Sequence, residues 1–273
     1  MSFRIGSMGL SLGAIRSLRS AETSIARSSA RLASGLRIHS AADDAAGLAI
    51  SERFRADIAS LQRAQMNTAD AIGIAQSAQG GLSEISSLLS EARALAVQSS
   101  SGTLDGQTRD QLDDQFQAIL SDIDSIAANT SFSTFNPLDN SGQQIDVAVG
   151  TTAGDTITIT GVDATASSIG AGGIDIATAT GAAGAISAID GAISNTSALA
   201  AQFGIAENRL ASRSNLLGVQ IEATAAAESR IRDADYASET ALLTRNQIIQ
   251  ESAIAVLGQA NANMSLVLRL LGT

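Results

Sequence analysis

The side chains that most often carry catalysis are sparse in this sequence. His39 is the one histidine of the chain, and cysteine is absent. A serine–histidine–aspartate triad would have to use His39, but the chain has no Gly-x-Ser-x-Gly elbow. A zinc site of the His-Glu-x-x-His type needs two histidines, and the lack of cysteine excludes disulfides, zinc thiolates and thiol nucleophiles.

The remaining candidates for chemistry are paired carboxylates and paired glycines. Asp43–Asp44 and Asp113–Asp114 are adjacent pairs, whose side chains would diverge by about 100° on a helix and so would not converge on one substrate. They are better explained as helix caps or solvated faces. Gly80–Gly81 and Gly172–Gly173 fit neither a phosphate-binding loop nor a dinucleotide fingerprint. We therefore expect a protein that is not an enzyme and has no catalytic residue, cofactor or metal.

The charge of the chain is acidic overall but uneven. The net charge is −10, and all 17 basic residues are arginine, which disfavours nucleic-acid binding. Six arginines nevertheless crowd the first forty residues against a single acid, Glu22. A membrane or nucleic-acid arm is one interpretation, but an exposed helix face that meets an acidic partner is the more usual one. The six are Arg4, Arg16, Arg19, Arg27, Arg31 and Arg37.

Targeting signals are not evident in the sequence. Residues 1–13 lack the basic region, continuous apolar core and cleavage site of a signal peptide, and no apolar run is long enough to span a bilayer. We expect no membrane insertion, and, if the protein is exported, a route that cleaves no such peptide.

The two ends of the chain carry apolar stripes at coiled-coil spacing. Steps of three, four or seven residues predict two long terminal helices, with Glu22 and Ser29 at intervening seam positions. Neither helix can bury its stripe alone, so the simplest solution is that the two ends pair with each other. The stripes are Ile15, Leu18, Ile25, Leu32 and Leu36 at the N-terminus, and Leu242, Ile249, Ala253, Val256, Ala260, Val267 and Leu271 at the C-terminus.

The middle of the chain predicts further helices around a small β insertion. Helices are expected over 45–98, from about Asp105 to Asn129, and over 185–230, and alternation over 144–160 predicts a β-hairpin. Residues 164–184, rich in Gly, Ala, Ser and Thr, are expected to be a loop. Aromatic residues make up only 3% of the chain, which suits closely packed helices. The expected fold is mainly α: a long antiparallel helical hairpin or coiled-coil bundle with a β-hairpin inserted.

One segment of twenty residues suggests a family. Residues 32–51 read LASGLRIHSAADDAAGLAIS, a string that closely resembles the N-terminal signature of bacterial flagellins. Further stretches resemble flagellins at matching places along the chain. They are residues 95–98, 101–103, 154–159, 229–239, 259–261 and 267–271.

The resemblance implies a domain layout and a mechanism. Residues 1–44 with 233–273 would form the inner tube domain, 45–232 the outer rod domain, and the variable outer domains of longer flagellins would be absent. The terminal stripes would stay largely unburied in the monomer and would pack in the flagellar filament used for swimming. The resemblance also implies an unfolded passage through the export channel and, besides copies of the chain itself, three kinds of partner: an export chaperone, hook-associated junction proteins and the filament cap.

The resemblance has a second consequence, for innate immunity. Flagellins detected by the Toll-like receptor carry an arginine where this chain has Glu91, a second arginine retained as Arg93, and a leucine retained as Leu95. The acidic residue on the neighbouring helix falls at Gln115. Because Glu91 reverses a contact charge, we expect weak activation of the receptor.

Two other functions stay open from the sequence. A hook–filament junction protein shares the terminal-helix plan, but such proteins are usually longer. A flagellin-like surface receptor or adhesin would need a concave or aromatic-lined site, for which Tyr236 and six phenylalanines offer little material.

Overall fold

The computed structural model describes residues 7–139 and 142–271. Within them the chain forms six α-helices and two β-strands, which confirms the mainly α fold with a small β insertion. The elements are α1 Ser7–Ser34, α2 Ala45–Ser99, α3 Gly106–Asn129, β1 Gln144–Ala148, β2 Thr156–Thr160, α4 Ala166–Ile169, α5 Ala179–Arg232 and α6 Tyr236–Leu271.

The chain divides into two compact units. The terminal unit comprises residues 1–56 and 223–273, and the central unit comprises residues 57–222. Helices α2 and α5 each contribute residues to both units.

The terminal unit is built on α1 packed antiparallel to α6. On α1 the seam follows alternating steps of three and four residues, a coiled-coil repeat. Its members are Ala14, Leu18, Ala21, Ile25, Ser28 and Leu32, of which Ala14, Ala21 and Ser28 are buried and the larger three are half-buried. Because small side chains occupy alternate seam positions, the two helices can approach closely.

The central unit has a continuous apolar core between α2, α3, α5 and the hairpin. Its largest fully buried side chains include Phe116, Leu82, Ile123 and Ile189. Alanines such as Ala75 and Ala92 lie at the same core at 0% exposure, so the long helices pack closely with few bulky residues. Burial of this kind is the main favourable term in folding.

The β-hairpin covers one edge of this core. Strands β1 and β2 are antiparallel with Ile145 opposite Ile159 and Val147 opposite Ile157. Val147 and Ile159 are buried, whereas Asp146 and Thr158 face out, the alternation expected of a half-buried hairpin. The predicted hairpin over 144–160 is therefore present.

Helix ends are capped by short polar side chains. Asp105 is the N-cap of α3 and accepts a hydrogen bond from the Thr108 backbone N–H. Asp44 precedes α2 and accepts from the Gly47 N–H at 2.9 Å. Such bonds satisfy amides that have no partner inside the helix, so the carboxylate before α2 serves as a cap, as expected.

The loop predicted over 164–184 was wrong in two places. Residues 166–169 form α4, and α5 begins at Ala179, six residues before the predicted start. The segment also contributes to the core, since Ile169 and Ile176 are 1% and 0% exposed. Gly, Ser and Thr lower the helix propensity of the segment, but a few apolar side chains between them are sufficient to anchor it.

Candidate functional site

The predicted N-terminal stripe divides between the seam and the open surface. Leu18, Ile25 and Leu32 lie on the seam, half-buried, whereas Ile15 is 38% exposed. Leu36 is half-buried beyond the end of α1. Glu22 and Ser29 are exposed, so their prediction as seam residues was wrong. Ala21 and Ser28, each one position earlier, occupy the seam instead.

The predicted C-terminal stripe is displaced from the seam in the same manner. Ala253 and Ala260 are buried, but Leu242, Ile249 and Val256 are 41%, 37% and 48% exposed. These three are seven residues apart, so they line one side of α6 next to its buried edge. We call them the apolar ridge. The side chains of Val267 and Leu271 lie outside the described residues.

A shallow groove runs beside the apolar ridge. Gly13 and Ser17 of α1 form one wall, and Ile249 and Val256 of α6 form the other. A Cβ added at Gly13 would meet no atom within 4 Å, so packing within the chain does not require a glycine there. The groove therefore presents small residues on one side and branched apolar residues on the other, an arrangement suited to close contact with another helix.

A main-chain junction fixes where α1 and α6 begin their pairing. Gly35 follows α1 with φ +72°, a conformation that side chains disfavour. The Arg37 N–H then donates to the Arg232 carbonyl at 2.6 Å, and the Ala234 N–H donates to the Gly35 carbonyl at 2.9 Å. The Tyr236 hydroxyl donates to the Leu32 carbonyl at 2.9 Å. The junction thus holds the C-terminal end of α1 beside the N-terminal end of α6.

Two ion pairs of the terminal unit were not predicted from the sequence. Arg31 donates to Glu239 at 2.9 Å, and Arg232 donates to Glu52 at 2.8 Å. Glu239 is buried, at 6% exposure, and its Oε2 has no hydrogen-bond partner in the described part of the chain. The hydrogen bond from Arg232 lowers the pKa of Glu52. Glu239 precedes the buried Ala253 by two heptads of sequence, and this spacing was the signal that could have identified it.

Asp43 organises the turn before α2. Its carboxylate accepts from the backbone N–H groups of Ser40 and His39, at 3.1 and 3.3 Å. These hydrogen bonds, that to Ser40 first, lower the pKa of Asp43 because they stabilise its charged form. The carboxylate closes a loop of main chain, and His39 itself is exposed.

The positions equivalent to the innate-receptor contact lie on α2 and α3. Glu91, Arg93 and Gln115 are exposed, and Leu95 is half-buried against the core. Arg93 is held by Asp190 at 2.7 Å, and this hydrogen bond raises the pKa of Arg93 and lowers that of Asp190. The retained arginine therefore already has an acidic partner within its own chain.

The described part of the chain has neither a membrane-spanning helix nor a cluster of metal-binding side chains. Across residues 7–139 and 142–271, no helix has the combined length and hydropathy of a bilayer-spanning segment. In the same ranges, no three His, Asp or Glu side chains are grouped so that they could hold a metal ion.

Comparison with known proteins places this arrangement in a family. The family model described as the bacterial flagellin N-terminal helical region matches residues 5–143, and that of the C-terminal helical region matches 186–271. A flagellin of Halalkalibacterium halodurans is 41% identical over 88% of this chain and 89% of its own length. A flagellar filament 30.7 kDa core protein of Treponema maltophilum is 33% identical over 88% and 90%.

A solved structure agrees with these relatives. The crystal structure of Bacillus cereus flagellin matches with a TM-score of 0.51 and 30% identity, covering 55% of this chain and 88% of that one. The resemblance of residues 32–51 is therefore supported along most of the chain, and flagellins are structural proteins of the extracellular filament. The chain belongs to the bacterial flagellin family and is a structural subunit of the flagellar filament.

Proposed function

We propose that α1 and α6 form the inner tube of the filament and that the apolar ridge is buried there by neighbouring copies. The observation that carries the proposal is the position of Leu242, Ile249 and Val256, which flank a buried seam but are themselves 37–48% exposed. Because small residues such as Ala21, Ala253 and Ala260 are the buried members of the seam, these larger side chains stay available. Exposed apolar patches of this kind mark surfaces that associate.

The energy for assembly would come from repeating this contact in every subunit. Complete burial of a Leu, Ile or Val side chain contributes roughly 1.5–3 kcal/mol, so partial burial of the three ridge residues is worth roughly 2–4 kcal/mol. If each copy contacts the next through two different surfaces, the contact does not end at a symmetric dimer and can repeat along a helical filament. Leu18, Ile25, Leu32 and Leu36 would support the tube indirectly, by keeping α1 paired with α6.

The domain assignment follows from the same reasoning. Residues 1–44 with 233–273 would form the inner tube, and 45–232 would form the outer rod with its hairpin. The well-filled core of the central unit supports a rod that keeps its fold through assembly.

The finer steps of export and assembly belong to the proposal. The chain would leave through the flagellar channel unfolded, without a cleaved signal peptide, accompanied inside the cell by an export chaperone. In the finished structure, hook-associated junction proteins and the filament cap would then contact the two ends of the filament. The modest seam supports this route, since terminal helices with little buried area unfold readily.

Weak activation of the flagellin-sensing Toll-like receptor is also proposed. Glu91 reverses the charge expected at one contact position, Gln115 removes the charge at another, and the bond from Arg93 to Asp190 would have to be broken or shared. A reporter-cell assay with monomeric protein tests this. We expect low potency that rises in Glu91→Arg, and full potency of the unaltered protein would contradict it.

Truncation tests the assembly proposal. Purified full-length protein and residues 45–232 are seeded with filament fragments and examined by electron microscopy. We expect long filaments from the full-length protein and none from the truncated one. Filaments from the truncated chain, or a full-length chain that stays a single particle under all seeding conditions, would overturn the proposal, and the second outcome would favour a junction protein.

A further inference from the structure

The paired helices α1 and α6 have two opposite sides, and the apolar ridge lies on one of them. Ser17 of α1 precedes the buried Ala21 by four residues, and Ile249 of α6 precedes the buried Ala253 by four. At 100° per residue, each is therefore rotated by about 40° from the seam in the same sense. Both residues line one groove, so equal rotations from the seam on these antiparallel helices lead to the same side of the pair.

The side that carries the apolar ridge is basic. Arg27 precedes the buried Ser28 by one residue, which rotates it by about 100° from the seam, in the sense of the ridge. Arg245 is rotated by about 100° in the same sense when its position is averaged between the buried Glu239 and Ala253. Both arginines are exposed and have no ion pair in the described part of the chain. We call the ridge with these two arginines the basic side.

The opposite side of the pair carries an acid and two further apolar residues. Ile15 and Glu22 each directly follow a buried alanine of the α1 seam, and Ile254 directly follows Ala253 on α6. All three are therefore rotated by about 100° in the sense opposite to the ridge. Ile15 and Ile254 are 38% and 54% exposed, and Glu22 is exposed without an ion pair among the residues that the structure describes. We call these three residues the acidic side.

The other charges among the described side chains of α1 and α6 lie on neither side. Arg31 and Glu239 pair with each other. Arg16, Arg19 and Glu251 are rotated by about 140–150° from the seam, so they project from the backs of the two helices. The two sides of the pair therefore differ in sign, with two bases on one and one acid on the other.

Two copies can place these sides together in two ways. If like sides face each other, the result is a symmetric dimer that ends there, and like charges lie together at the contact, which disfavours it. If the basic side faces the acidic side, Arg27 and Arg245 meet Glu22, and each copy keeps one free side for the next neighbour. The charges therefore favour the contact that repeats.

The apolar residues of the two sides also complement each other. The ridge residues are 37–48% exposed, and the groove beside them is open at Gly13, where an added Cβ would meet no atom within 4 Å. Ile15 and Ile254 of the acidic side are branched apolar side chains that can pack against such a surface. Contact between unlike sides would remove both sets of side chains from water, which favours association.

We propose that the acidic side of one copy covers the apolar ridge of the next, and that Arg27, Arg245 and Glu22 select this repeating contact over a symmetric dimer. The proposal rests on the burial of the ridge by neighbouring copies and names the surface that buries it. It also gives a function to Ile254, whose side chain is 54% exposed within a single chain.

Two isoleucines of α6 provide a matched test of the acidic side. Ile248 has a similar exposure to Ile254, 57%, but it is rotated by about 160° from the seam and projects from the back of α6. Full-length variants are seeded with filament fragments, and sedimentation measures the critical concentration. We expect Ile254→Ser to raise it at least fivefold and Ile248→Ser to leave it within twofold, with equal helix content by circular dichroism. Equal effects of the two changes would overturn the contact.

Charge reversal tests the selection between the two kinds of contact. Glu22→Arg makes both sides basic, whereas Glu251→Arg makes the same change of charge on the back of α6. At 50 mM NaCl we expect the first to raise the critical concentration at least tenfold and the second to leave it within threefold. R27E/R245E combined with E22R exchanges the signs of the two sides and should return it to within threefold of the unaltered chain. The defect of E22R alone should shrink at 500 mM NaCl, since salt screens the repulsion.

Three outcomes separate this contact from the assembly proposal on which it rests. If L242S/I249S/V256S blocks assembly while I254S and E22R assemble like the unaltered chain, another surface covers the ridge, and the contact is wrong although assembly through the ridge stands. If all of these variants assemble normally, both proposals fail. If the variant with exchanged signs is no better than E22R alone, charge does not select the contact, and the present proposal is overturned.

Discussion

The central and terminal units use the same residue types in opposite ways. In the central unit the bulky side chains, Phe116 and Leu89 among them, are fully buried and alanines fill the gaps between helices. In the terminal unit small residues, Ala14, Ala21 and Ser28 among them, are the buried members of the seam, and the described Leu, Ile and Val side chains of α1 and α6 are half-buried or exposed. The central unit therefore completes its core within one chain, whereas the terminal unit leaves apolar surface to be covered by other copies.

The largest expected effect is in the central core. Phe116→Ala removes a side chain at 0% exposure and should lower the free energy of unfolding by about 3–5 kcal/mol. Ile248→Ala in the terminal unit, at 57% exposure, is the control and should change it by less than about 0.5 kcal/mol. Urea denaturation of the monomer measures both, and equal effects would remove the contrast between the units.

The apolar ridge should show the reverse behaviour. Leu242→Ser, Ile249→Ser and Val256→Ser together should leave monomer unfolding almost unchanged. Assembly should lose roughly 2–4 kcal/mol, an increase in critical concentration of about thirtyfold to several hundredfold. Sedimentation after seeding measures the critical concentration. A ridge variant that assembles normally would show that this surface is not between subunits.

The Arg31–Glu239 pair should matter for the terminal unit alone. Arg31→Met leaves the Glu239 carboxylate buried without its partner, which should destabilise the pairing of α1 with α6 by about 1–3 kcal/mol, less than a fully buried pair because Arg31 is partly exposed. Amide hydrogen exchange in α6 should accelerate, while exchange around Leu89 stays constant. Arg31→Met combined with Glu239→Leu should recover most of the loss, and no recovery would assign the effect to packing of Arg31 instead.

Removing the cap before α2 should have a smaller effect. Asp44→Ala deletes the acceptor for the Gly47 N–H and should cost about 1 kcal/mol. Exchange of the first amides of α2 should speed up, while Asp44→Asn should retain most of the protection. Equal loss in both variants would implicate charge and not hydrogen bonding.

Acid should affect both units together. Hydrogen bonds lower the pKa of Asp43 and Glu52 in the terminal unit and of Asp105 and Asp190 in the central unit. A lowered pKa stabilises the fold above the unfolded value, about 4, and that stabilisation is lost as pH falls through the folded value. Thermal midpoints should therefore fall below about pH 4 for both units, and a loss confined to one unit would contradict this assignment.

The helical layout and the hairpin could be predicted because they depend on local periodicity. The alternation over 144–160 and the helices predicted over 45–98 and from about Asp105 to Asn129 correspond to structure at the expected places. The loop at 164–184 was misjudged because burial of Ile169 and Ile176 depends on distant helices.

The candidate site was harder to predict. A stripe of large apolar residues identifies the apolar face of a helix, but it does not tell which residues of that face are buried against the partner helix. Ala21 and Ser28 occupy the seam because close helix contact favours small residues, while hydropathy alone favours Ile15 and Leu242. The Arg31–Glu239 pair joins positions 208 residues apart, and no local pattern reports such a contact. Membership of a polymer, in contrast, was indicated by the twenty-residue string at 32–51.

The central claim is that the core of the central unit is complete within one chain, whereas the exposed surface of α6 is covered by other copies. Hydrogen exchange of the monomer and of the filament, compared residue by residue, tests this claim most directly. Amides of α6 around Leu242, Ile249 and Val256 should become at least tenfold more protected on assembly, while those around Leu82 and Phe116 should be strongly protected in both states. Equal protection of the α6 amides in monomer and filament would show that this surface is already covered within one chain, and would contradict the account.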